Sequence, residues 1–373
     1  MPLPGDPDTY NEIVIQARRD ALAGDDGLTA QALQDLREEF ADMILEINQD
    51  VEAGRITEAR AERLRDSIND AMRRFANRAP VILENARDEA IRASVTAHED
   101  ATRRLVAQSQ ASVEVGERFA QVPDDVVEMA MRRRALGAST TFQTLINRNV
   151  QEAAGSIDRA ITSALARGEA NQELTKRIAG HLARNDEELL DVLRRRGKAG
   201  RDLAESVAGL DLTDDELQRS KRLLYDARRI AVTEISNHYD EADAVSMARS
   251  PVVDLIQWNT SAQHGGLDSS PDRCDYLEQA NPHGYGVGLY HPETVPARPH
   301  PHCQCPKTAV THRPENYGKT RDVPPKPEID EDRMGEVLKR LEREEGRTVT
   351  DNYIQNEANG VQRMVDAIYE NPR

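Results

Sequence analysis

Apolar residues recur at three- and four-residue spacing along most of the chain up to about residue 248, and beyond it that rhythm stops. Leu33, Leu36, Phe40, Met43, Ile47 and Val51 mark one stripe with acids and arginines between them, so residues 29–110 are predicted to form long amphipathic helices. Gly54 breaks this run and Thr57 to Asn77 resumes it. Pro80 suits a first helical turn and predicts a further helix reaching Val113. Pro123-Asp-Asp predicts another start, because proline fits the first turn and acids complement the positive helix end. Ile157, Ile161 and Leu165 line one face and Leu174, Ile178 and Leu182 the next, with a Gly-containing turn at 167–171 between them. That is a helical hairpin. Thr213-Asp-Asp-Glu216 reads as a capping box launching a helix with Leu217, Leu224, Ala227 and Ala231 on one face, ending before Pro251.

From residue 252 the texture differs. Val252 to Trp258 reads as a strand, and Gly284 to Tyr290 offers a second short one among turn residues. Gly, Pro, Asn, Asp and His dominate 259–302, a stretch too poor in apolar residues to hold one structure by burial alone, so a cross-link is expected there. Arg313 to Pro327 reads as a Pro-rich linker, Asp332 to Glu345 as a charged helix and Thr350 to Tyr369 as a last helix; both tail helices are expected to dock on a partner or neighbouring subunit. The fold class expected is mainly α: an elongated helical bundle with hairpins, then a small irregular α+β Cys/His module and a helical C-terminal tail. The expected divisions are 1–120, 121–249, 250–312 and 313–373.

Composition sharpens this. Aromatic residues are only 4% of the 373, so the helices must pack through Ala, Leu, Ile and Val. A net charge of −17 argues against phosphate-neutralising DNA binding by the whole chain. Seven lysines leave 42 of the 49 cations as arginine. Acidity with arginine in place of lysine resembles proteins of salt-in halophiles, and a high-GC genome gives the same bias. The arginine triplets Arg132 to Arg134 and Arg194 to Arg196 read first as solvated faces with local acidic partners, and second as DNA contacts. No segment approaches the roughly 18 apolar residues of a membrane span, and Met1 to Asp6 lacks the features of a signal peptide. Synthesis in a cytoplasm, where cysteines stay reduced, is expected.

All three cysteines and five of the nine histidines fall between residues 264 and 305. Tetrahedral zinc takes thiolate or imidazole ligands at about 2.0 to 2.3 Å. Cys274, His300, Cys303 and Cys305 supply a Cys3His set that pins two segments together, with His302 or His291 as alternates. One structural zinc per chain is the expectation; the competing reading is an unmetallated or transiently oxidised cysteine cluster. No His-Glu-x-x-His helix points to catalytic zinc.

The order of motifs carries a resemblance. Ala164 to Leu174 with its glycine turn is followed by Ala227-Arg-Arg-Ile-Ala-Val-Thr-Glu-Ile235, then Trp258, Asp272-Arg-Cys274, Val295-Pro-x-x-Pro299 and His300-Pro-His-Cys-Gln-Cys305. This series resembles the Mu F-like head morphogenesis proteins of tailed phages, minor capsid proteins encoded beside the portal, over about residues 150–312. Leu277 stands where those proteins often carry the second cysteine of a Cys-x-x-Cys, so a histidine must complete any metal site or leave it three-coordinate. Gln304 replaces the arginine of the closing motif and removes one ion pair. The resemblance implies a non-enzymatic virion component, lodged inside the head near the portal after assembly in the host cytoplasm. Its implied partners are the portal, the major capsid protein or scaffold, and packaged DNA, with multiple copies around the portal and no membrane. It also implies that Thr233 and Glu234 anchor the long helix to the Cys/His module; the competing reading is a solvated helix with Glu234 paired to His238 one turn on. With the halophile-like composition, the source implied is a haloarchaeal tailed virus.

Two other classes compete. One is a metal- or thiol-dependent hydrolase, such as a nuclease, with His264, His283 and Asp272 as acid and base; no paired carboxylates at a known nuclease spacing accompany them. The other is a zinc-bearing nucleic-acid module, whose DNA binding would depend strongly on salt.

Overall fold

The computed structural model describes residues 7–22, 27–49, 55–111, 113–119, 122–126, 142–183, 186–209, 222–261, 272–296, 298, 305–327, 331–345 and 351–370. Among them the fold is mainly α, with twelve α-helices and one three-stranded antiparallel sheet. The chain divides into two compact units, one of residues 25–86 and 140–234, the other of 1–24, 87–139 and 235–373. These units group segments by contact, whereas the expected divisions at 120, 249 and 312 run in chain order. Periodicity along a chain marks helices, and says nothing about which helix a given stripe will face.

The first unit is a helical bundle. Helix α2 (Leu28–Gln49) buries Leu33, Leu36, Phe40, Met43 and Ile47 of the expected stripe, with Ile44 beside them, while Val51 lies outside the described residues; Phe40 meets Phe75 edge-on at 5.2 Å. Phe75 lies on α3 (Glu58–Ser109), which runs unbroken through Pro80. The expected restart there is therefore corrected. A proline inside a helix costs about 3 kcal/mol, and burial of Ala76, Ala79 and Leu83 on either side offsets it. The hairpin expected from the sequence is present as α5 (Phe142–Arg167) and α6 (Asn171–Ala183), after a short α4 (Gly116–Phe119) that belongs to the other unit. Its turn uses Gly168 at φ +63°, a conformation glycine adopts without steric cost. Burial alone would raise the Glu169 carboxyl, but hydrogen bonds from Arg167 and Arg177 outweigh it and hold the group below its ordinary value. Helices α7 (Glu187–Arg195) and α8 (Gly197–Ala208) pack on each other and on α2. Asp186 caps α7 through Leu189 N at 2.9 Å. In this region Arg194 pairs with Glu187 and Asp191, and Arg196 with Asp42, which is the solvated reading of that triplet. Arg132 to Arg134 and the Thr213 capping box lie outside the described residues.

The second unit is built around the sheet. Strand β1 (Val253–Trp258) lies centrally between β2 (Leu289–Tyr290) and β3 (Lys307–Thr311), with Trp258 opposite Lys307 and Ile256 opposite both Ala309 and Tyr290. β3 and the N-terminal helix α1 (Pro7–Leu22) were not expected from the sequence. The core of this unit draws on α1 through Tyr10 and Val14, on α3 through Ile91 and Leu105, on α9 (Arg222–Arg249) through Val245, and on the sheet through Ile256 and Trp258. It also takes Met334 and Leu338 from α11 (Glu331–Glu345) and Ile354, Val361 and Val365 from α12 (Asp351–Glu370). The tail helices, expected to seek a partner, pack instead on α10 (Arg273–Gln279) within this unit. Nor is 313–327 a loose linker: Gly318 N bonds Pro251 O at 2.8 Å, Arg321 donates to Asp254 at 2.7 Å, and Lys326 reaches Asp366 at 2.8 Å.

Candidate functional site

Helix α9 carries His238-Tyr-Asp-Glu-Ala-Asp243 through the interior of the sheet unit, and all six residues are buried. Buried carboxylates need partners, and distant segments supply them. Asp243 accepts from Ser94 Oγ at 2.7 Å and from Arg18 at 3.3 Å, and its Oδ1 lies 3.1 Å from His98 Nε2. A carboxylate only accepts, so His98 Nε2 donates to it, and His98 Nδ1 lies 2.7 Å from the Tyr10 hydroxyl. Burial by itself would raise the Asp243 carboxyl; the His98 hydrogen bond and charge, with Arg18 and Ser94, outweigh it and hold the group below its ordinary value. Burial drives the Tyr10 and Tyr239 phenols upward, so both keep their protons.

Asp240, one turn away, takes Lys307 Nζ at 2.7 Å, with Arg298 Nε at 3.4 Å and Arg18 at 3.7 Å. The Lys307 ammonium also sits 5.3 Å from the centre of the Trp258 ring, and the Arg18 guanidinium 5.8 Å from that of Tyr239. Asn11 closes the edge of β3 by donating to Ala309 O at 2.9 Å and accepting from Ala309 N at 2.8 Å. Ser94 and His98 are shut away from solvent, and Asp240, Asp243 and Lys307 nearly so. A network so enclosed and so matched with cations holds segments together. It offers no carboxylate to a substrate.

The sequence-derived site residues divide three ways. Cys274 and Cys305 are both buried in the core of the sheet unit, and no disulfide joins them. Cys274 is positioned by a capping box: Asp272 Oδ1 accepts its backbone N at 2.7 Å, and Asp275 returns the bond to Asp272 N at 2.8 Å. Cys305 lies two residues before β3, and Pro306 O between them accepts from Asn259 N at 3.1 Å. His300, His302, Cys303 and His264 lie outside the described residues. Among the described residues no group of three His, Cys, Asp or Glu side chains forms a metal-holding set.

His291 is the alternate ligand that the geometry turns elsewhere. Its Nδ1 accepts from Glu293 N at 3.2 Å and its Nε2 lies 3.3 Å from Arg321 O, so both ring nitrogens serve the backbone. Leu277, at the position of the missing cysteine, is a buried core residue whose carbonyl accepts from Tyr290 OH at 2.7 Å. Asp272, considered with His264 and His283 as acid and base of a hydrolase, accepts the cap bond through one carboxylate oxygen. The Thr233 hydroxyl is buried without a hydrogen-bond partner, which leaves the expected anchoring role without a bond at that residue.

Sequence reasoning missed Arg18, His98, Asp240, Asp243 and Lys307. One signal was available: 238–248 places acids among Ala, Val and Met with no continuous polar face, as in a helix enclosed on all sides. No family model, curated protein or solved structure matches the chain.

Proposed function

We propose that this chain is a non-enzymatic component of a tailed-virus head, of the Mu F-like minor capsid kind, bound near the portal or the inner capsid face during assembly. One observation carries the reading. Trp258, Cys274 and Cys305, motif residues from three separate segments between 258 and 305, are all buried in a single core. Joint burial suits a motif series that holds a scaffold together. Of the residues considered as acid and base, Asp272 caps α10.

Within this reading Cys274 and Cys305 supply two thiolates to a structural zinc, with Cys303 and His300 completing the set. Two buried thiols on separate segments of one core suit the chemistry of such an ion. Metal analysis of the purified full chain is expected to give one zinc per chain, and a folded, zinc-free protein would remove this part of the proposal. Mass spectrometry of purified particles, together with co-purification with the portal at high salt, tests the role itself. Absence from particles combined with metal-dependent DNA degradation would favour the hydrolase.

A further inference from the structure

Residues 318–327 run between β3 and α11 without helix or strand, and none of them is buried. Apolar contact therefore holds little of this strap, and its polar ties decide where it lies. Gly318 N donates to Pro251 O at 2.8 Å, Arg321 Nη2 donates to Asp254 Oδ2 of β1 at 2.7 Å, Tyr369 OH donates to Pro325 O at 3.2 Å, and Lys326 reaches Asp366 at 2.8 Å. One further tie comes from a group that titrates near neutral pH. His291 Nε2 lies 3.3 Å from Arg321 O.

The other nitrogen of this buried ring, Nδ1, lies 3.2 Å from Glu293 N. A backbone N–H only donates and a carbonyl only accepts, so the imidazole is neutral with its single proton on Nε2. A second proton on Nδ1 would face the Glu293 N–H, donor against donor. The charged ring must then stay buried with that bond lost, or turn away and let go of Arg321 O. Burial disfavours the charged ring most, and the Arg321 guanidinium adds to it; the Arg321 carbonyl, Glu293 and Asp254 work the other way without cancelling it, so His291 sits below its ordinary value near 6.5. His283, half-buried nearby, is lowered by burial and by His291. His312 Nδ1 stands 3.5 Å from Asp254 Oδ1. Arg321 holds the Asp254 carboxyl below its ordinary value, so that group stays ionised while the histidines titrate.

We propose that His291 is an acid-operated latch: a proton on Nδ1 turns the ring out of place and frees the 318–327 strap from the 291–294 turn, while α11 and α12 stay docked. The tail helices stay because Met334, Leu338, Ile354, Val361 and Val365 hold them in the core, which the strap does not enter. The latched ring takes a second proton less readily than a released one, so the latch is complete above about pH 6.5 and weakens as pH falls below that, by up to about tenfold per unit until the latched ring itself titrates. The inference stands apart from the virion reading, and His291 is not among the four zinc ligands of that reading.

The test is nuclear magnetic resonance on the full chain: ring nitrogen shifts of His291, and hydrogen exchange at the amides of Glu293, Thr294 and Gly318, corrected for intrinsic rates at about pH 7.5 and about pH 5.5. The ring is expected as the Nε2–H tautomer at the higher pH. Opening at the three amides should rise at least about threefold at the lower pH, and the amides of α12 should not change. His291→Gln offers a donor and an acceptor without taking up a proton, so it should abolish the rise, whereas His283→Gln and His312→Gln should keep it. An Nδ1–H tautomer, no rise, a rise shared by α12, or a rise that persists in His291→Gln or disappears in His312→Gln would overturn the proposal. If glutamine fails to latch at either pH, the parent chain decides: the midpoint of the His291 ring titration must coincide with that of Gly318 opening, and separate midpoints would sink the latch.

Discussion

The bundle unit and the sheet unit handle the same high charge in different ways. In the bundle, most described charges stay at the surface and pair there, Arg78 with Glu39, Arg65 with Asp158 and Arg196 with Asp42, each pair partly exposed; the buried Arg37, paired with Asp186 and Glu188, is the exception. Its interior is Ala, Leu, Ile, Val, Met and Phe at helical spacing. In the sheet unit Asp240, Asp243, Lys307 and Arg298 are carried inside and matched against one another. The first arrangement spreads stability over many interchangeable contacts. The second concentrates it, because removing one member of a buried set strands the others.

Removing residues 328–373 should have the largest effect. Met334, Leu338, Ile354, Val361 and Val365 leave the core of the sheet unit with that segment, each contributing roughly 1.5–3 kcal/mol if fully buried. We expect a red-shifted emission from Trp258, the only tryptophan, and loss of the protease-resistant sheet unit. If Trp258 kept its native emission, the tail would be an appendage and the shared core an error.

Asp240→Ala comes next. It leaves Lys307 and Arg298 buried without their main counter-charge and should cost about 3–5 kcal/mol in urea titrations followed at Trp258. Arg78→Ala in the bundle should cost under about 1 kcal/mol by far-ultraviolet dichroism. Equal losses would erase the contrast between the units.

Gly200→Ala sharpens the comparison from the bundle side. A methyl group there would run into the carbonyl oxygen of Leu193, which is backbone and cannot swing aside. A loss of about 1–3 kcal/mol is expected, and a neutral result would mean that α7 and α8 can separate freely.

The smallest effect at neutral pH is that of acid. Because Asp243 is held below its ordinary value, its contribution is complete above the unfolded carboxylate value near 3.9 and is lost as pH falls through the folded one. The sheet unit should therefore weaken below about pH 4. Glu169 is also held low in the bundle, so the informative measurement is the stability–pH slope of Asp243→Asn against the parent chain. An unchanged slope would show that Asp243 does not act through its charge.

Much of the helical content was legible in the chain. The stripe of α2, the hairpin of α5 and α6, β1 and both tail helices follow from spacing alone, since which face of a helix or strand is apolar is a local property. Pro80 misled because local propensity was outweighed by packing on both sides. Helix α1 was missed because its apolar stripe is short, and what holds it is Tyr10, Asn11 and Arg18 reaching His98, Ala309 and the α9 carboxylates.

The candidate site was legible only as chemistry. The crowding of Cys and His between 264 and 305 can be read from the chain, and so can the poverty of apolar residues around it. That Cys274 and Cys305 belong to the same core as the tail helices could not be, nor could the use of both His291 nitrogens by the backbone. Residue types and local spacing determine which groups can bond and which segments can coil. Which groups meet depends on segments up to about three hundred positions apart, such as Asn11 and Ala309, and only the folded chain brings those together.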